Sequence, residues 1–135
     1  MKALFVDTGA WVALRYRRDQ YHEQARRLLL RVRAERRTLV TSEWILAEAV
    51  TLLKARGAVD HAIGLGTALT DGSVCRLMES STSRRARAWQ LFLRYRDGRA
   101  GYVDCTSFAI MEELGLSTVF GFDADFAAAG FSLYE

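Results

Sequence analysis

Ala3-Leu4-Phe5-Val6-Asp7-Thr8-Gly9 opens the chain with four consecutive apolar residues and then switches to an acid, a hydroxyl and a glycine. An apolar run without alternation, containing Phe and Val, suits a strand buried on both faces, and the switch marks its end. Residues 2–7 are therefore read as a strand that delivers Asp7 to its carboxyl edge. In an open parallel α/β sheet, ligands bind beyond the carboxyl ends of the strands. An acid at that point is a candidate for chemistry.

Working outward, four further short strands are expected at residues 38–41, 73–78, 117–122 and 131–134, with helical patterns between them. A short helix begins at Ala10. A longer one opens at Asp19, places Ala25, Leu28, Leu29 and Val32 on one face, and ends at Arg36-Arg37, where positive charge complements a helix C-terminus. Ser42 caps a helix that runs to Gly57, Asp60 starts one that reaches Leu69, and Ser83 to Arg96 forms an arginine-rich helix. Val103 to Leu114 is an inner helix stopped by Gly115, and a short helix starts at Asp123. Strands alternating with helices at this spacing predict a mainly parallel sheet of about five strands, covered on both faces in three α/β/α layers and joined by right-handed crossovers.

The chain has 135 residues, enough for one core, so residues 1–135 are read as a single domain. With 50% hydrophobic and 26% charged residues, the composition argues against disorder. Proline is absent, so turns rest on Gly, Asp and Ser. No apolar run approaches the roughly 20 residues of a membrane span, and a cytoplasmic protein is expected. Cys75 and Cys105 form no CxxC pair, which argues against structural zinc and for two buried small residues. Only Lys2 and Lys54 among the nineteen basic residues are lysine. Arginine's planar fork matches phosphate oxygens in pairs, so a polyanionic partner is expected, although Arg26, Arg27, Arg31, Arg33, Arg36 and Arg37 also fit the solvated face of one amphipathic helix.

Asp123 ends the run Val119-Phe120-Gly121-Phe122, as Asp7 ends the first strand. Glu48 stands three residues after Ile45 and four before Leu52, and Asp104 four before Phe108, so both are expected on inward helical faces. Glu112 and Glu113 are expected to be solvated. Singly, each inward acid has a structural explanation as a helix cap or a partner of a buried arginine. Together, Asp7, Glu48, Asp104 and Asp123 would repel one another unless a cation compensates. Oxygen donors without thiolate or imidazole favour Mg²⁺ or Mn²⁺, and such ions serve phosphodiester hydrolysis.

Phe5-Val6-Asp7-Thr8, Glu48 within residues 42–48, Asp104-Cys105-Thr106-Ser107-Phe108, and Phe122-Asp123-Ala124-Asp125-Phe126 followed by Gly130-Phe131 give the chain a resemblance to PIN domains of the VapC toxin type, over residues 2–134. The resemblance implies a Mg²⁺- or Mn²⁺-dependent endoribonuclease, usually dimeric, inhibited by a VapB-like antitoxin whose tail enters the acid groove. It carries the catalytic and metal-ligand roles over to Asp7, Glu48, Asp104 and Asp123, with Thr8 and Ser107 as supporting hydroxyls and Asp125 as an extra ligand. Members often have Thr or Ser two residues before the last Asp. Here Gly121 holds that place.

A haloacid dehalogenase would need a second Asp where Gly9 stands, and a response regulator would need a late-strand lysine. Gly64-Leu65-Gly66 follows a helix and lacks a third glycine, so it does not make a dinucleotide loop. The alternatives that remain are a PIN module with weak turnover that binds RNA or a partner protein, and a structure-specific DNA nuclease. Arg15, Arg17 and Arg18, soon after Asp7, are candidates for RNA phosphate contacts. Trp11, Trp44 and Trp89 are expected to pack, and His22 and His61 to lie on helix surfaces.

Overall fold

A computed structural model describes residues 3–135, so the expected first strand residue, Lys2, lies outside the described residues. Strands β1 (Leu4–Val6), β2 (Leu39–Ser42), β3 (Arg76–Met78), β4 (Thr118–Phe120) and β5 (Ser132–Leu133) form one sheet in the order β3-β2-β1-β4-β5. Every pairing is parallel. Helices α1 (Thr8–Arg15), α2 (His22–Ala34), α3 (Glu43–Ala55), α4 (Val59–Thr70), α5 (Thr82–Arg94), α6 (Tyr102–Leu114) and α7 (Asp125–Ala128) make the connections. The expected α/β architecture is thus the observed one.

The strand order decides where the site falls. From β1 the chain builds the sheet in one direction through β2 and β3, then returns to add β4 and β5 on the other side. The crevice at the carboxyl ends of β1 and β4 is therefore a topological switch point. Val6 pairs with Phe120, and the Asp7 amide continues the ladder to the Phe120 carbonyl at 3.0 Å. Asp7 and Gly121 consequently leave the sheet side by side.

The core is built as the apolar runs require: Leu4, Phe5, Val6, Val119 and Phe120 are fully buried, and α6 contributes Cys105, Phe108, Ile110 and Met111. Trp11 is also core, its indole N–H donating to Thr41 Oγ1 at 3.1 Å while the Thr41 hydroxyl donates to the Val6 carbonyl at 2.9 Å. Ser42 caps α3 by accepting from the Ile45 amide, and Gly115 ends α6 at φ 68°, in the left-handed region that favours glycine.

Helix α1 begins at Thr8 rather than Ala10 and α7 at Asp125 rather than Asp123, and three further expected boundaries shift for local reasons. Helix α2 begins at His22 because Asp19 spends its carboxylate on the Tyr21 amide at 2.9 Å, a side-chain turn that precedes the helix. Strand β3 begins at Arg76, after Asp71 accepts from the Ser73 amide and bends the chain. Helix α5 begins at Thr82, one residue before the expected Ser83, because Ser81 is its cap, accepting from the Arg84 amide at 3.2 Å. Glu112 and Glu113 are exposed as expected, and each makes a two-pronged pair with an α5 arginine, Arg87 and Arg84 respectively.

Candidate active site

Asp7 occupies the N-cap of α1 in extended conformation, yet its side chain makes no capping hydrogen bond. The cap explanation therefore does not account for it. The residue is buried, and its carboxyl is pushed up to about 7, first by burial and then by Asp104, Asp123 and Glu48, against a lowering contribution from the Thr8 amide. Three of the acids singled out in the sequence are close enough to disfavour the charge on the fourth.

Asp104 sits in the first turn of α6, half-buried, and its Oδ2 accepts from the Gly101 amide at 2.9 Å. That bond fixes the helix start and leaves the second carboxylate oxygen to the crevice. Its pKa is also raised, by burial first, with the Gly101 amide opposing and Asp123, Asp125 and Glu48 adding to it. Asp123 follows β4, and its Oδ1 accepts from the Asp125 amide at 2.9 Å, so the loop folds back and brings both acids beside Asp104. Asp104, Asp123 and Asp125 each offer a ligand atom within 4.8 Å of the others.

Glu48 corrects an expectation. Helical spacing assigned it to the inward face of α3, but the residue is exposed, because position 48 falls at the flank of a stripe whose centre is Ile45, Ala49 and Leu53. It is nevertheless held at the site: the Thr8 hydroxyl donates to Glu48 Oε1 at 2.6 Å. Ser107 is fully buried, and its hydroxyl donates to the Val103 carbonyl one helical turn back at 3.3 Å. Of the two expected supporting hydroxyls, Thr8 is the one bonded to an acid.

Arg15, Arg17 and Arg18 are not beside the acids. Arg15 closes α1, about 12 Å of helix axis beyond its start. With Arg17, Arg26 and Arg33 it lines a groove of about 610 Å³ floored by Trp11, Leu14 and Leu29, which also receives His22 and His61; Arg18 is exposed outside it. The short sequence interval from Asp7 becomes a separation because the intervening residues form a straight helix.

Two contributions had no sequence signal. Tyr21 stacks on Phe122 with ring centroids 4.4 Å apart, pinning the residue before Asp123 from a distant part of the chain. Thr41 ties Trp11 to the last carbonyl of β1, one residue before Asp7. A buried Thr in a strand carries no mark in the sequence that separates it from an ordinary strand former.

Asp104, Asp123 and Asp125 suit a divalent cation by their chemistry, with hard oxygen donors close together, and the nearby buried Asp7 is disfavoured as an anion while no positive charge among the described residues bears on it. The PIN domain family model matches residues 4–132, and the chain belongs to the PIN-domain family. Within it, the chain is a VapC toxin homologue. It is 34% identical over 95% of both chains to the 23S rRNA-specific endonuclease VapC20 of Mycobacterium tuberculosis. The crystal structure of that protein, described as a sarcin-ricin loop cleaving toxin, superposes with a TM-score of 0.86 at 33% identity over 95% of both chains. VapBC2 of Rickettsia felis, solved with a DNA fragment from its promoter, shares the fold at a TM-score of 0.66 and 15% identity, over 97% of this chain and 96% of that one. Among the described residues, no helix is long and apolar enough to cross a membrane.

Proposed function

We propose that this chain is a divalent-metal-dependent endoribonuclease toxin of the VapC type, with Asp7, Glu48, Asp104 and Asp123 as its catalytic, metal-holding residues and Asp125 as a further ligand. The observation that carries the reading is the convergence of these acids at the β1–β4 switch point, where three neighbours bear on the ionisation of buried Asp7. Bound Mg²⁺ or Mn²⁺ would let the carboxylates ionise together and would offset negative charge developing on the phosphate.

The chain's own groups define the rest. Thr8 holds Glu48, Gly101 holds one oxygen of Asp104, and the Asp125 amide holds one oxygen of Asp123, so three acids are oriented before substrate arrives. Free carboxylate oxygens accept hydrogen bonds from an attacking water and align it with phosphorus. The water oxygen bonds to phosphorus as the bond to the 3′ oxygen breaks; one water proton passes to a carboxylate oxygen and the departing 3′ oxygen takes a proton from solvent, leaving a 5′-phosphate and a 3′-hydroxyl. No 2′-hydroxyl takes part, so 2′,3′-cyclic ends are not expected.

Ribosomal RNA stem-loops are the first substrates to offer, since the Mycobacterium tuberculosis relative is named for 23S rRNA. A VapB-like antitoxin and a homodimer complete the proposal. Purified protein should cut such RNA with Mg²⁺ or Mn²⁺ and fail to do so with EDTA or after Asp7→Asn. Cleavage indifferent to both treatments would refute the metal-dependent reading, and a preference for flapped DNA over RNA would move the chain to the DNA nucleases.

A further inference from the structure

Helix α5 and the loop that follows it carry two kinds of arginine. Arg84 and Arg87 are neutralised by Glu113 and Glu112 at the far end of α6. Arg85, Arg96 and Arg99 are exposed and make no ion pair among the described residues. Arg85 and Arg96, four residues before Trp89 and seven after it, accompany a cluster of rings. Against the expectation that it packs, Trp89, one helical turn after Arg85, is 53% exposed, although tryptophan is highly buried on average, and it stacks on Phe92 with centroids 5.4 Å apart at 28°. Tyr102 closes the cluster at 6.4 Å from Trp89 and 6.3 Å from Phe92.

The cluster adjoins the acids. Tyr102 and Asp104 share the first turn of α6, so the cluster reaches the helix end that carries a candidate metal ligand, with the two side chains leaving the helix on different sides. Arg99 lines a small cavity, about 50 Å³, together with Asp125. Exposed rings flanked by uncompensated guanidinium groups match the two surfaces of an unpaired nucleotide: a π-face for the base and positive charge for the phosphate. A protein partner would find the apolar area suitable but would have to supply carboxylates for Arg85 and Arg96.

We propose that Trp89, supported by Phe92 and Tyr102 and accompanied on the same stretch by Arg85 and Arg96, is a stacking platform for an unpaired RNA base. It gives the enzyme a preference for loops over paired stems. The inference rests on the ribonuclease reading for its substrate class and deepens it.

The test measures binding in the Asp7→Asn background with Mg²⁺, by fluorescence anisotropy, of a fluorescein-labelled hairpin RNA with an unpaired loop and of a fully paired RNA duplex. Trp89→Ala should weaken hairpin binding roughly 5- to 100-fold, the range of base stacking on an aromatic ring, and leave duplex binding nearly unchanged. Trp89→Phe should restore most of the loss, because a smaller ring still stacks. Hairpin affinity equal to the parent's overturns the platform, as does equal loss for hairpin and duplex. A loss accompanied by dissociation of a dimer in sedimentation also overturns it, and makes this face a contact between copies. If Asp7-bearing protein cleaves RNA while Trp89→Ala binds normally, the platform falls and the nuclease stands. If loop binding depends on Trp89 but the Asp7-bearing protein cuts nothing in Mg²⁺, the nuclease reading falls and the platform stands.

Discussion

Gly121 lies beside Asp7 across the β1–β4 crevice, and a Cβ added to it would stand 3.0 Å from the Asp7 Cβ and 3.6 Å from Asp7 Oδ2. The backbone there is not in the left-handed region, so what favours glycine is close approach rather than torsion. The hydroxyl residue that the family resemblance leads one to expect at this place would have to push Asp7 aside, and Asp7 is buried at the head of α1. Gly121→Ser is therefore expected to lower ribonuclease activity, by about tenfold or more, rather than restore a missing support. Overpacking should also cost about 1–3 kcal/mol of stability. Initial cleavage rates and urea unfolding of the variant check both. Activity at or above the parent's would mean that the crevice can open by those few tenths of an ångström.

The carboxyl of Asp7 is raised from 3.8 to about 7 in the folded chain. Between those values the native state retains a proton that the unfolded chain releases, so this group's contribution to stability is complete below the lower value and is lost as pH rises through the higher one. In EDTA, the protein should melt at a lower temperature near about pH 8 than near about pH 5, and Asp7→Asn should remove most of that difference. Mg²⁺ or Mn²⁺ should raise the melting temperature more at the higher pH, where the carboxylate is free to bind it. Melting curves across this range decide the matter. A variant as pH-sensitive as the parent would assign the effect to other groups.

Thr8 gives its only hydroxyl proton to Glu48, an exposed side chain that is otherwise free to rotate. Thr8→Val keeps the shape and removes the tether. Folding stability should change by only about 1 kcal/mol, whereas metal affinity or cleavage should fall roughly 10- to 100-fold, as for other groups that orient ligands. Thr8→Ser should recover most of the activity. Metal titrations of the three proteins would show whether the loss lies in binding.

The central strand and its acid were legible because Ala3 to Val6 combines a continuous apolar run with an abrupt polar stop, and nothing in the structure overrides it. Asp104 and Asp123 were legible for the same kind of reason: each stands where an element begins or ends. Glu48 was legible as a participant but not as an exposed one, since a period of 3.6 residues separates faces poorly at the edge of a stripe. The start of α5 was ambiguous because Ser80, Ser81, Thr82 and Ser83 all carry hydroxyls, and only the Arg84 amide selects among them. Neither Tyr21 on Phe122 nor Thr41 beneath Trp11 follows from local pattern, because both contacts exist only after distant segments have packed.

Arg15 and Arg17 share a basic groove a helix length from the acids, where they would meet a part of a long RNA remote from the cut. Replacing Arg15, Arg17 and Arg18 with alanine should weaken RNA binding whatever the loop sequence. The salt dependence should flatten by about one in slope for each phosphate contact removed. Affinity measured across a salt series reports this directly. An unchanged slope would leave the groove to another ligand.

Thr41 links two groups that have no access to water, the Trp11 indole N–H and the Val6 carbonyl. Among the described residues no buried side-chain polar atom lacks a partner, so this core is fully satisfied and sensitive to the removal of one member. Thr41→Val conserves volume but strands both a donor and an acceptor, at a cost of roughly 2–4 kcal/mol. Trp11→Phe removes the donor, so adding it to Thr41→Val should cost less than it does alone, and the two changes should be clearly non-additive. Because Val6 directly precedes Asp7, the single Thr41→Val variant should also lose cleavage activity at temperatures well below its melting point. A double-mutant cycle in urea combined with cleavage rates tests the link: full additivity would show that the Thr41 hydroxyl does not couple the indole to the strand that carries Asp7.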